Sequence, residues 1–189
     1  MEHIWIILTG PAGGGKTTLE KALLDHFPNS GRILTCTTRP IRHGEEDGKS
    51  YRFFSHEQFR ERLAQNLFEE HKTVHQHLYG TLRADLKEAR EKYRILISVM
   101  DPQGALEMSG RYPEAHTIFV TENLSVLEQR LRKRGETEAT IAVRMQSASE
   151  ELNHQDDFEF KLINSDLGES INTLVCQVEY WQSMSRSGT

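Results

Sequence analysis

A chain of 189 residues, 37% hydrophobic and 27% charged, has the size of one domain and enough apolar sequence to bury a real core. Its net charge of −5 argues against nucleic acid as the main partner, because a surface that neutralises phosphates shows as a basic excess. The apolar opening, Ile4 to Leu8, is too short for a signal peptide or a membrane span, and Cys36 and Cys176 lie far apart with no metal or redox spacing, so a soluble cytoplasmic protein is expected.

In chain order, strand-sized apolar runs fall at Ile4 to Leu8, Ile33 to Cys36, Ile95 to Met100, Thr117 to Val120 and Phe158 to Ile163. Most are apolar on both faces, as expected for parallel strands covered by helices on both sides. Amphipathic stretches between them predict helices at Lys16 to Phe27, Leu82 to Lys92, Val126 to Arg134, Glu138 to Leu152 and Leu167 to Trp181; on the first, Leu19, Leu23, Leu24 and Phe27 share a face. Ser125 with Glu128, and Asp166 with Glu169, have capping-box form. This alternation predicts an α/β fold with a five-stranded, mostly parallel sheet flanked by helices. The stretch from Arg39 to Thr81 breaks it: turn-rich polar sequence, aromatics at Tyr51, Phe53 and Phe54, a short helix at His56 to Ala64 behind Ser55, and strands near Leu67 to Lys72 and His77 to Tyr79. It reads as a small mixed insertion over the sheet edge, and the tail from Ser183 to Thr189 as frayed.

Between the first strand and first helix, Gly10, Pro11, Ala12, Gly13, Gly14, Gly15, Lys16 and Thr17 match G-x-x-x-x-G-K-[ST], with Thr18 following. Glycines let backbone amides converge on one concavity at the positive end of the helix, which suits a phosphate chain. Lys16 would reach the outer phosphates of a nucleoside triphosphate, and the Thr17 hydroxyl would ligate Mg²⁺. A second phosphate site is readable in "TTRPIRHGEEDGKSYRFF", where Arg39 and Arg42 flank a turn and Tyr51 adds a neutral donor; a solvated charged loop is the alternative. His71, His75 and His77 cluster without a zinc-ligand pattern and read as no metal site.

That arginine-rich stretch, with "HLYGT" (His77 to Thr81), "DPQGA" (Asp101 to Ala105), "LEQRLRKRG" (Leu127 to Gly135), "RMQSASEEL" (Arg144 to Leu152) and "INSDLGESI" (Ile163 to Ile171), resembles the guanylate kinase family in order over roughly residues 4 to 175. The resemblance implies one domain with its core at 1–36, 82–125 and 153–182, an acceptor-binding insertion at 37–81 and a helical lid at 126–152. It implies that Arg39, Arg42, Tyr51 and Tyr79 hold the acceptor's phosphate and that Thr35, Glu70, Thr81 and Asp101 surround guanine. Guanine offers donors at N1 and the 2-amino group, which carboxylates accept, whereas adenine presents an acceptor at N1. It also implies that Arg130, Arg134 and Arg144 close on the transferring phosphates and that Asn164 belongs to the ATP site.

The implied reaction moves the γ-phosphoryl group from ATP·Mg²⁺ to GMP, and to dGMP, by in-line transfer without a general base. ATP and GMP are the expected partners of a monomer or small homo-oligomer, with no nucleic acid and no membrane. Three positions depart from the family pattern: Val99 stands where the first acid of Asp-x-Asp is usual, His71 where tryptophan is common, and the span from Arg134 to Arg144 is one residue short. They leave open a P-loop kinase of another small phosphorylated acceptor and a non-catalytic protein-binding module; the intact Gly10 to Thr18 counts against the second.

Overall fold

The sequence alternates between runs that can be buried on both sides and stripes that can be buried on one, and the chain folds accordingly. The computed structural model describes residues 3–42, 44–74 and 76–187, with Arg186 and Ser187 described through their backbone alone. Its elements are β1 (Ile4–Thr9), α1 (Lys16–His26), β2 (Ser30–Arg32), β3 (Thr35–Thr37), β4 (Arg52–Phe53), α2 (His56–Ala64), β5 (Phe68–Val74) and β6 (His77–Leu82). There follow α3 (Arg83–Lys92), β7 (Ile95–Val99), α4 (Pro102–Arg111), β8 (Ala115–Thr121), α5 (Leu124–Lys133), α6 (Glu138–Leu152), β9 (Phe160–Ile163) and α7 (Leu167–Ser187).

Five strands form one sheet in the order β2-β7-β1-β8-β9, with every pairing parallel. Alternate side chains of β1 serve opposite faces. Ile4, Ile6 and Leu8 join Leu19 and Leu23 of α1 and Leu174 and Val178 of α7 on one side. Trp5 and Ile7 join Leu86 of α3 and Ala105 and Met108 of α4 on the other. The buried Trp5 indole is satisfied by Ser98 of β7 at 2.8 Å, so this polar edge costs the core little.

A second sheet, β4-β3-β6-β5, carries the insertion around its own small core of Cys36, Phe59 and Phe68, the two rings stacked at 4.2 Å. Ser55 caps α2 through a reciprocal pair with Gln58. Antiparallel pairing sets Thr35 against Thr81 and Thr81 against Glu70, so these three residues form a row across β3, β6 and β5.

Several sequence expectations change. Ile33 to Cys36 is not one core strand: the fifth core strand is the polar β2, and the chain crosses at Ile33 and Leu34 into the second sheet. Helix α4 was not anticipated from periodicity; Asp101 caps it and Pro102 opens it. The Ser125 box does not form, because α5 starts earlier, after Asn123, whose amide is taken by the Glu122 carboxylate at 2.6 Å. Asp166 does cap α7, accepting from the Glu169 amide at 2.9 Å. That helix continues through Ser187 rather than fraying at Ser183, since Val178 and Trp181 anchor it. His75 and Thr189 lie outside the described residues, as does Met1 at the start of the expected core. Among the described residues, no helix is long and apolar enough to cross a membrane.

Candidate active site

β1 delivers the chain to the sheet's C-terminal edge, where ligands of open α/β sheets bind. At Gly10 it turns with φ +114°, and a Cβ there would lie 2.4 Å from the Val120 carbonyl oxygen, so only glycine fits between β1 and β8. The loop closes through Gly14 N–H to Pro11 O at 3.1 Å, and the first turn of α1 through Thr18 N–H to Gly15 O at 3.0 Å. Gly10, Ala12, Gly13, Gly15, Lys16 and Thr17 line a cleft; Pro11 and Gly14 are buried behind it and Thr18 faces solvent. The Lys16 ammonium donates to the carbonyls of Gly10 and of Pro11, the latter at 2.9 Å. Burial lowers its pKa to about 8, which Glu151 opposes and Arg134 and Arg144 reinforce.

Two residues act on this loop from behind. Asn164 donates from Nδ2 to Gly14 O at 2.8 Å, and Arg130 donates to Gly13 O at 3.2 Å and to Asn164 O at 2.7 Å. Arg130 was expected to face the phosphates; its guanidinium is instead occupied by these carbonyls and does not line the cleft. It braces the Gly13 carbonyl of the loop against Asn164.

Across the cleft stands the row set by the second sheet. Thr35 and Glu70 line it, and Thr81, fully buried, donates to Glu70 Oε1 at 2.8 Å. Asp101, at the mouth of α4, accepts from the Gln103 and Gly104 amides, each at 3.1 Å. A Cβ on Gly104 would lie 3.0 Å from Asp101 Oδ2 and 3.6 Å from Glu70 Oε2, which puts both carboxylates over the same bare backbone. Burial raises the Glu70 pKa to about 7; the Thr81 hydroxyl opposes this, and Asp101 and Glu107 add to it.

Tyr51, Tyr79 and Arg42 line the wall between the two halves, the tyrosine rings edge to face at 6.5 Å. Arg39, expected beside them, does not line this cleft. Glu45 holds it in a two-pronged ion pair with both bonds at 2.6 Å, and the Tyr51 ring lies 4.7 Å from its guanidinium carbon. Arginine's fork takes two parallel acceptors, so a carboxylate here fills the geometry a phosphate would fill. From the helical side come Arg134, at the end of α5, and Arg144 of α6, the latter paired with Glu136 at 2.9 Å. Burial, Arg42 and Arg134 lower the Arg144 pKa, so this arginine sits in surroundings that favour an added anion.

The oxygen chemistry for a hard divalent cation is present: the exposed Thr17 hydroxyl, Asp101 and Glu151 all face the cleft. Sequence reasoning missed Glu45 and Glu151. Glu45 was hidden in an acidic turn, and Glu151 shows its meaning only as the residue two helical turns beyond Arg144, hence on the same face.

A phosphate-binding loop and a polar acceptor pocket opening on one cleft define a P-loop kinase of small phosphorylated molecules. The family model described as guanylate kinase matches residues 3–179. Guanylate kinase of Thermotoga maritima is 36% identical over 171 residues, covering 89% of this chain and 83% of that protein. Guanylate kinase of Helicobacter pylori is 37% identical over 167 residues, covering 87% and 81%. The crystal structure of guanylate kinase from Anaplasma phagocytophilum aligns with TM-score 0.75 at 22% identity over 97% of this chain and 86% of that one. A shikimate kinase from Bacteroides thetaiotaomicron aligns at TM-score 0.55 and 19% identity, over 93% and 98%, which speaks for the shared P-loop kinase fold alone. This chain belongs to the guanylate kinase family; it is a nucleoside monophosphate kinase, a transferase.

Proposed function

We propose that this enzyme transfers the γ-phosphoryl group of ATP·Mg²⁺ in line to the phosphate of GMP or dGMP, giving ADP and the diphosphate, in the cytoplasm. The observation that carries this is the placement of Lys16 and the Glu70 and Asp101 carboxylates in the lining of one cleft. The loop from Gly10 to Thr18, backed by Asn164, takes the ATP phosphates, and Thr17 would hold Mg²⁺ through its hydroxyl. Mg²⁺ there would neutralise charge on the β- and γ-phosphate oxygens.

Thr35, Glu70, Thr81 and Asp101 hold guanine. The carboxylates accept from its N1 and 2-amino groups, and adenine would leave them unpaired. Arg42, Tyr51 and Tyr79 hold the acceptor phosphate, and Arg39 joins them by exchanging Glu45 for that phosphate. The acceptor is already ionised, so no side chain need take a proton from it. Lys16, Arg134 and Arg144 offset charge on the equatorial oxygens during transfer, with Arg130 holding the loop in register. The insertion at 37–81 and the lid at 126–152, attached to the core at 1–36, 82–125 and 153–182, close over the substrates and exclude water.

The test is ADP formation with ATP·Mg²⁺ against GMP, dGMP, AMP, CMP, UMP and IMP. Turnover confined to the two guanine nucleotides is the expected result; silence on the whole panel with ATP binding intact would assign the site to another phosphorylated acceptor. A second expectation concerns pH. Glu70 must be ionised to accept from both guanine donors, because a protonated carboxyl turns an O–H toward one of them, and its pKa lies at about 7. The KM for GMP should therefore rise as the pH falls from 8.5 to 6.5, approaching about tenfold per unit below that value. A KM flat over this range would show that Glu70 does not read the base through its charge.

A further inference from the structure

The cleft is lined by the cations Lys16, Arg42, Arg134 and Arg144 and by the acids Glu70, Asp101 and Glu151. Two of the acids are engaged within the chain: Glu70 accepts from Thr81, and Asp101 caps α4. Glu151 has none of this kind. Its Oε2 is buried without a hydrogen-bond partner among the described residues. It projects from α6 into a site built for a polyphosphate, where a carboxylate repels the ligand. The charges that face it are Lys16, from the first turn of α1, and Asp101, at the mouth of α4. Lys16 in turn faces Glu151, Arg134 and Arg144. Glu151 is thus the one acid among these groups that offsets the Lys16 charge, while two arginines oppose that charge from the helical side.

We propose that Glu151 is the resident counter-charge of the phosphate cleft: it balances Lys16 while the cleft is empty and yields that ammonium to the incoming triphosphate, so it weakens nucleotide binding and hastens release. The proposal rests on the ATP site assigned above. An acid there stabilises the protein without nucleotide, in which the Lys16, Arg134 and Arg144 charges would otherwise meet, at the expense of affinity for an anion. In a kinase that must let go of ADP, such a trade favours turnover.

The experiment is calorimetric titration of the full chain with ATP, without metal and with Mg²⁺. Glu151→Gln should bind ATP about tenfold more tightly in both conditions, the scale expected from removing one charge several ångströms from the phosphates. Its KM for ATP should fall while kcat does not rise, a split that loosened packing would not produce. Glu150→Gln, which removes the same charge from the exposed neighbouring position, should bind as the wild type does. If Glu151→Gln does not fold, Glu151→Asp carries the test, because it withdraws the charge by one methylene and should tighten binding about two- to threefold. Unchanged or weaker binding by the variant used overturns the proposal, and a weakening confined to Mg²⁺ would make Glu151 a holder of the metal's water shell. A wild-type chain that does not bind ATP overturns the site assignment itself, which separates the two failures.

Discussion

Lys16→Met lowers kcat for GMP phosphorylation by about 10³-fold, the scale of losing a preorganised charge aimed at developing phosphoryl charge, and leaves the fold intact. The magnitude follows from position: Lys16 stands at the first turn of α1, beneath the cleft, with its ammonium directed at the loop that cradles the phosphates. Methionine keeps the length and apolar stem and removes only the charged head. Stability should change little. The ammonium is already disfavoured by burial and by Arg134 and Arg144, so its removal offsets the loss of its bonds to Gly10 and Pro11. A coupled assay for ADP gives the rate and a thermal melt the fold. Turnover within tenfold of wild type, with an unchanged melt, would remove Lys16 from the mechanism and with it the account of how the loop works.

Such a residue is easily read because chemistry and local structure coincide in one short stretch. The same holds for the central strands β1 and β7, whose almost wholly apolar runs are buried on both faces of the sheet. Legibility fails where burial is not what decides. Strand β2 is Ser-Gly-Arg, and it joins the sheet only because β7 offers a free parallel edge, with Ser30 set against Ile95 and Arg32 against Ile97. The apolar Ile33 beside it drew the expected strand past β2, to start at Ile33 instead of Ser30. Helix α4 has little continuous apolar face, and its sign is the pair Asp101 and Pro102, a cap followed by a residue that cannot donate.

The site divides in the same way. Residue types with one chemistry, the loop glycines and Lys16, are visible singly. The row of Thr35, Thr81 and Glu70 exists only through antiparallel register, which a threonine and a glutamate eleven residues apart do not announce; it was reached through resemblance. The arginines are the least legible, because a guanidinium states a charge and not its partner. Arg39 is held by Glu45 through the fold of one polar turn, and Arg130 by two backbone carbonyls that tertiary contacts bring to it.

Glu70→Gln lowers kcat/KM for GMP by about 10²-fold, almost wholly through KM, since a glutamine can accept one hydrogen bond from guanine but sets an amino group against its second donor. The same variant should melt higher than wild type at pH 8. A carboxyl whose folded pKa is raised above the unfolded value destabilises the fold once the pH exceeds that unfolded value, and the cost is complete above the folded value, here about 7. At pH 8 the wild type bears this cost in full, whereas the amide, still able to accept from Thr81, bears none. At pH 4 both side chains are neutral and the two melting points should converge. The variant should also lose the rise in KM toward low pH, because its position no longer titrates. A poorer KM with a higher melting point and a flattened pH profile assigns Glu70 to reading the base. A poorer KM with a lower melting point at pH 8 would mean that the buried acid serves the insertion's own packing, and the discrimination between guanine and adenine would have to rest on Asp101.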